Sequence, residues 1–237
     1  MSPRREQGQD RFDDRRDAGR RLGERLRPLA TELPVVLALP RGGIPVAEEV
    51  ADALGAPLEI IVVRKLGAPH NPEYGIGAIA EGGVTVVDAE AVAGLGISAS
   101  ALGAIATREG EELRRRVSAY RGERPRLELA GRTVIVVDDG IATGVSDTAA
   151  LRAVRREGAR RVVLAVPVSS QEAAGRLQGE ADELVCLRVS PLLHGVGGAY
   201  RDFSQVPDED VVAALRAHGD GGLRAGARPG VAGTPRA

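Results

Sequence analysis

The sequence predicts one α/β domain built on a mainly parallel sheet, with helices on both faces and a small hood. Three observations predict it. Short, wholly apolar runs are bounded by Gly, Pro or charged residues, as in strands buried on both faces. Stretches of helical period separate those runs. The 237 residues also suffice for one substantial core.

Residues 1–17 are dense in Arg and Asp and read as a mobile arm, with Phe12 as its one anchor. Ala18, Leu22, Leu26 and Leu29 then recur at helical spacing, giving an amphipathic helix that ends near Pro28. Pro34 introduces the apolar run Val35–Leu39, a buried strand. Arg41-Gly42-Gly43 turns the chain into a helix with Pro45 in its first turn and Val46, Val50, Ala51 and Leu54 on one face, stopped at Gly55. A second strand covers Leu58–Val63 and runs straight into Arg64 and Lys65.

Gly67 to Gly83 is rich in Gly and Pro and poor in period, so it reads as a long loop with a short hairpin ending near Val84–Val87. Ser98 or Ser100 caps the following helix, whose apolar stripe includes Leu102, Ile105, Leu113 and Val117. Thr133–Val137 is the next strand, followed by a turn and a helix carrying Ala149, Ala150, Ala153 and Val154. Val162–Val166 and Leu184–Leu187 complete the strands. Val189 to Val206 forms the hood, Val211, Val212 and Leu215 a last short helix, and 218–237 a disordered tail, so that the folded domain spans 18–217.

Composition narrows the function. Thirty-two basic and thirty-three acidic side chains nearly cancel, which gives no general electrostatic reason for a nucleic-acid or anionic-membrane partner. No apolar run reaches bilayer-spanning length, the first residues are charged, and the single Cys186 has no disulfide mate, so a cytoplasmic protein is expected. The glycines match neither a phosphate-binding Walker loop nor a dinucleotide fingerprint. His70, His194 and His218 are scattered, which disfavours a structural zinc site. Ser169-Ser170 reads as a helix cap, and Cys186 as a small core residue.

The chemistry concentrates in Asp138-Asp139-Gly140-Ile141-Ala142-Thr143-Gly144, where a buried strand becomes a loop. Two adjacent carboxylates there accept hydrogen bonds from vicinal hydroxyls and, with phosphate oxygens, help hold a hydrated divalent cation. Gly140 and Gly144 permit tight turns, and Thr143, Ser146 and the amides of a helix start donate to a phosphate monoester. The competing reading is an Asx turn with a helix cap. Two further anion sites follow strand ends. Arg41-Gly42-Gly43 offers main-chain donors beside a planar guanidinium, against the alternative of a plain turn before a helix. Arg64-Lys65 adds charge, and Lys65 is the single lysine among the 32 basic side chains: a mobile point charge, or a solvent-facing residue.

This pattern resembles the type I phosphoribosyltransferases, whose signature is an apolar strand, two acidic residues, a small-residue loop and Thr-Gly. The resemblance extends from about Val35 to Val206. It implies that Asp138 and Asp139 contact the ribose hydroxyls of 5-phosphoribosyl 1-pyrophosphate and that Gly140, Ile141, Ala142, Thr143 and Gly144 cradle the 5-phosphate. It also implies that Arg41, Gly42 and Gly43 bind pyrophosphate through a loop of unusual peptide geometry, assisted by Arg64 and Lys65. Mg²⁺ is the implied cofactor, held by pyrophosphate and water with help from Asp138 and Asp139 and no assigned direct protein ligand.

The Gly67–Gly83 segment resembles the family's flexible catalytic loop. In it His70, Glu73 and Tyr74 either meet the acceptor or stabilise the loop. In the hood, Tyr200 and Phe203 either stack on a planar acceptor or pack into the hood core. Ala142 stands where 6-oxopurine transferases carry an aspartate, which disfavours hypoxanthine and guanine and leaves a nitrogen-containing acceptor of unassigned identity. The expected activity is Mg²⁺-dependent phosphoribosyl transfer by a homodimer. The alternatives are a phosphoribosyl-pyrophosphate-binding regulatory protein without efficient turnover, or a phosphoribosyl hydrolase.

Overall fold

The computed structural model describes residues 11–193 and 195–219. Most of the expected arm (1–10), nearly all of the expected tail (220–237) and His194 of the hood lie outside these residues. Among the described residues no helix is long and apolar enough to cross a membrane.

Five strands, β1 (Val35–Ala38), β2 (Leu58–Ile60), β6 (Thr133–Val137), β7 (Arg161–Ser170) and β8 (Glu183–Ser190), form a parallel sheet in the order β2-β1-β6-β7-β8. The central strands are apolar along most of their length because both faces are covered. Val36, Ala38, Ile135, Val137, Val163 and Ala165 point to one face. There they meet α1 (Arg15–Leu26), α2 (Gly43–Leu54), α4 (Ala99–Arg121) and α7 (Asp208–Gly219). The alternate residues Val35, Leu37, Val134, Val136, Val162 and Leu164 meet α5 (Val145–Arg156) and α6 (Gln171–Leu177) on the other. Burying each such side chain stabilises the fold by roughly 1.5–3 kcal/mol before the entropy of ordering is set against it.

Helix α1 starts at Arg15, ahead of the Ala18 that periodicity picks out. The reason is a cap: the Asp14 carboxylate accepts the Asp17 N–H at 2.7 Å. Phe12 is buried, as the anchor reading requires, and residues 11–17 are folded onto the domain. Close packing of α1 on α2 depends on glycine, since a Cβ on Gly19 would lie 2.8 Å from the Val46 carbonyl oxygen.

The largest departure is the Gly67–Gly83 segment. It is mostly strand: β3 (Val63–Ala68), β4 (Asn71–Ala80) and β5 (Thr85–Val87) make a separate antiparallel sheet. Its glycines serve close cross-strand approach, for a Cβ on Gly67 would meet Pro72 at 2.3 Å and one on Gly77 the Val86 oxygen at 2.4 Å. Leu66, Ile76, Ala78 and Ala80 are buried against α4 and α5, so the segment has a core-facing side that composition concealed. β2 correspondingly ends at Ile60, and the chain crosses to the second sheet at Ile61-Val62. A short helix α3 (Ala89–Gly94) precedes α4, which Ser98 caps by accepting the Ala101 N–H at 3.2 Å.

Candidate active site

Parallel strands deliver their carboxyl ends to one edge, and the residues with chemistry collect there. At the end of β6, Asp138 is half-buried and Asp139 buried. The next residues form a preset crest. Ile141 is buried and bridges to β7, donating to the Val168 carbonyl at 2.9 Å while its own carbonyl accepts the Ser170 N–H at 2.9 Å. Gly140 lies so close to Val168 and Val196 that a Cβ would meet their side chains at 2.7 and 2.6 Å.

Ala142 and Thr143 stand exposed at the top of this crest. Their carbonyls are tied down, Ala142 by the Ser170 hydroxyl at 2.8 Å and Thr143 by Arg176 at 3.2 Å. Gly144 caps α5 with φ +79°, a backbone conformation that glycine takes at little cost. The Ser170 hydroxyl also accepts the Ala173 N–H at 3.1 Å, so the helix-cap reading of Ser169-Ser170 holds for Ser170.

The loop after β1 lies directly beneath the acidic pair. A Cβ on Gly42 would fall 2.1 Å from Asp139 Oδ2, and one on Gly43 3.1 Å from Asp138 Cα. The Pro40–Arg41 peptide is cis. The Arg41 side chain leans away toward Asp208 at 3.7 Å, so this loop offers the site its backbone and the start of α2.

Asp138, Arg64, Lys65 and Glu73 line one cavity of about 490 Å³ together with Pro40 and Ser146. Arg64 is held there by Glu109 of α4 at 2.7 Å. Lys65, Glu73 and Tyr74 also face Ala142 and Thr143 across a second cavity of about 400 Å³, rimmed by Arg176. His70 lies apart from the acidic pair, on an apolar cavity with Tyr74 and Leu95. Tyr200 is buried and donates its hydroxyl to the Asp139 carbonyl at 2.5 Å. It is therefore hood core rather than an open stacking surface, while the half-exposed Phe203 stacks on it with centroids 5.2 Å apart.

Two site residues escaped sequence reasoning. Arg15 donates from Nε to Asp139 Oδ2 at 2.8 Å, across 124 positions of sequence that no local pattern connects. Asp147, in the first turn of α5, is buried with its Oδ1 unpartnered among the described residues. It had a signal: its spacing to Ala150, Leu151 and Val154 puts a carboxylate on the buried face of the helix.

These carboxyls are crowded. Burial pushes Asp138 well above the usual carboxylate range, and the charges of Asp139 and Asp147 push it further, against the Asp139 N–H and Arg15. Asp139 is raised by burial and pulled back by its bond to Arg15. Asp147 is pushed up to about 7, chiefly by burial, with its own N–H opposing and Asp139 adding. Among the described residues no three His, Cys, Asp or Glu side chains are arranged to hold a metal ion.

A model of the phosphoribosyl transferase domain matches residues 13–192. The chain belongs to the phosphoribosyl transferase domain family. It is 50% identical over 210 residues to relatives from two strains of Mycobacterium tuberculosis, whose provisional names carry the term phosphoribosyl transferase. That match covers 88% of this chain and 47% of theirs, so the chain spans about half the length of the curated relatives it matches. TT1426 from Thermus thermophilus, a solved structure, is 50% identical and superposes with a TM-score of 0.75, covering 88% of this chain and 99% of that one. The matched region of the phosphoribosyl transferase domain begins at Asp13 and so takes in the helix that carries Arg15.

Proposed function

We propose that this chain binds 5-phosphoribosyl 1-pyrophosphate with Mg²⁺ and transfers its phosphoribosyl group to a nitrogen nucleophile, releasing pyrophosphate. The observation that carries the reading is the convergence of Asp138, Arg64 and Lys65 on one cavity, beside the exposed Ala142-Thr143 crest. In this reading the crest and the first turn of α5 donate to the 5-phosphate. The acidic pair accepts from the sugar hydroxyls, and Arg64, Lys65 and the start of α2 meet the pyrophosphate.

In the transfer the acceptor nitrogen forms the bond to the anomeric carbon. The carbon–oxygen bond to pyrophosphate breaks, its electron pair leaves with pyrophosphate, and the nitrogen gives up a proton. Holding the two reactants in line is the main contribution of such a site. Cations near the leaving group add preorganised electrostatic stabilisation. Mg²⁺, when bound, neutralises charge on the pyrophosphate. The half-buried carboxylate of Asp138 on the cavity, where Glu109 is already engaged by Arg64, fits a hard cation held mostly by ligand oxygens and water.

Calorimetry with phosphoribosyl pyrophosphate and with ribose 5-phosphate, each with and without Mg²⁺, tests the assignment. Binding of neither ligand would defeat it. Pyrophosphate release across a panel of nucleobases and small amines then separates transfer from regulatory binding, and release without any acceptor identifies hydrolysis. Homodimer formation belongs to the same reading, and a monomer mass that is constant with concentration would remove it.

A further inference from the structure

Arg15 sits far from where a surface arginine would be expected. Its side chain is 11% exposed and held at three points. Nε donates to Asp139 Oδ2 at 2.8 Å, Nη1 donates to the Ser204 carbonyl at 2.8 Å, and the guanidinium lies 3.7 Å from the centre of the Phe203 ring. Phe203 in turn stacks on Tyr200, whose hydroxyl holds the backbone carbonyl of Asp139. Oδ2 is boxed from the other side as well, since Gly42 leaves only enough room for it. One oxygen of Asp139, Oδ2, is therefore fixed by the first helix and the hood, and Oδ1 takes no part in the bond to Arg15.

We propose that Arg15 is a specificity-determining positioning residue of the sugar site: by locking Oδ2 it presents Oδ1 of Asp139 to a vicinal diol. Discrimination between a ribose and a 2-deoxyribose ligand then depends on a residue of the first helix. The inference rests on the reading of the acidic turn as a sugar site. Lysine is a poor substitute, because an ammonium has neither the planar fork that meets Asp139 and Ser204 together nor the flat face that lies on Phe203.

The test uses the full chain and three probes with Mg²⁺: ribose 5-phosphate, 2-deoxyribose 5-phosphate and pyrophosphate. Wild type should prefer the ribose ligand by about tenfold, the scale of one hydrogen bond to a charged group. Arg15→Gln should bring that ratio close to one while leaving pyrophosphate affinity unchanged, and Arg15→Lys should recover only part of it.

Phe203→Leu, which removes the stack and keeps the ion pair, should lower the ratio about threefold, and it carries the test if the Arg15 variants do not fold. A ratio preserved in Arg15→Gln overturns the proposal, as does equal weakening of all three probes together with a lower melting temperature. Tighter sugar binding in Arg15→Gln would mean that Arg15 occupies the sugar's own place, which also overturns it. If wild type binds none of the probes, the sugar-site reading itself has failed and the proposal falls with it.

Discussion

Among the described residues, two groups of charged side chains are buried, and they are built in opposite ways. At the far edge of the sheet, Arg121 at the end of α4 donates to Glu59 of β2 at 3.3 Å, to Glu81 at 2.6 Å and to the Ile60 carbonyl at 3.3 Å. Arg126 adds a second cation to Glu81 at 3.2 Å. Burial lowers the Arg121 pKa, but its bonds to Glu81 and the field of Glu59 more than offset that and the net shift is upward. At the ligand edge, Asp138, Asp139 and Asp147 crowd together, and the cation that bonds one of them is Arg15. All three carboxyls are pushed up. Charge matched inside the protein ties elements together, whereas carboxylates left undermatched are suited to a ligand that brings hydroxyls and a cation with it.

The largest expected effect breaks the matched group. Arg121→Met leaves Glu59 and Glu81 buried without their main partner, and should cost about 3–5 kcal/mol of stability by denaturant titration. Affinity for phosphoribosyl pyrophosphate, measured where the variant is still folded, should stay near that of wild type. A stable variant with altered affinity would erase the distinction between the two groups.

The undermatched group should respond the other way. Replacing Asp138 and Asp139 together by Asn keeps size but, if the acidic turn is the sugar site proposed above, puts amide donors toward the sugar hydroxyls. Productive positioning should suffer by about a hundredfold in Mg²⁺-dependent pyrophosphate release. The melting temperature should fall far less than in Arg121→Met, because relief of carboxyl crowding offsets part of the loss of the Arg15–Asp139 pair. Binding must be followed separately, since less repulsion can favour retention of an anionic substrate while turnover falls. Wild-type turnover from the folded double variant would end the assigned role.

How far these features were legible depended on their range. The parallel strands could be read because continuous runs such as Val134–Val137 and Val162–Val166 need cover on both faces. The Asp138–Gly144 turn was legible because its chemistry is contiguous. The β3–β5 sheet was not, because its glycines signal a loop by composition while their actual use, close contact of Gly67 with Pro72 and of Gly77 with Val86, is fixed by pairing partners. Arg15 was invisible for the same physical reason: its partners Asp139 and Ser204 come near only after the chain closes on itself.

The smallest effect belongs to Asp147, and its sign distinguishes the two groups most cleanly. Its folded pKa of about 7 lies above the ordinary aspartate value, so the folded state holds its proton more tightly than the unfolded chain does. Stability from this residue is therefore present below the unfolded pKa and is lost as pH rises toward about 7. Asp147→Asn removes that loss. At pH 5, above the unfolded pKa and below about 7, the wild type has lost only part of that stability, so the variant should compare less favourably with wild type there than at pH 8. At pH 8 the variant should be more stable. The full shift corresponds to on the order of 4 kcal/mol, but an amide in the site of the unpartnered Oδ1 forfeits part of it, as does the lost acidic charge in the first turn of α5. A net gain of about 1 kcal/mol is expected, read as a rise in melting temperature that grows between pH 5 and pH 8. A variant that is destabilised more at pH 8 than at pH 5 would mean that the Asp147 carboxylate is matched in the folded protein after all, with Lys65 the cation nearest to that task.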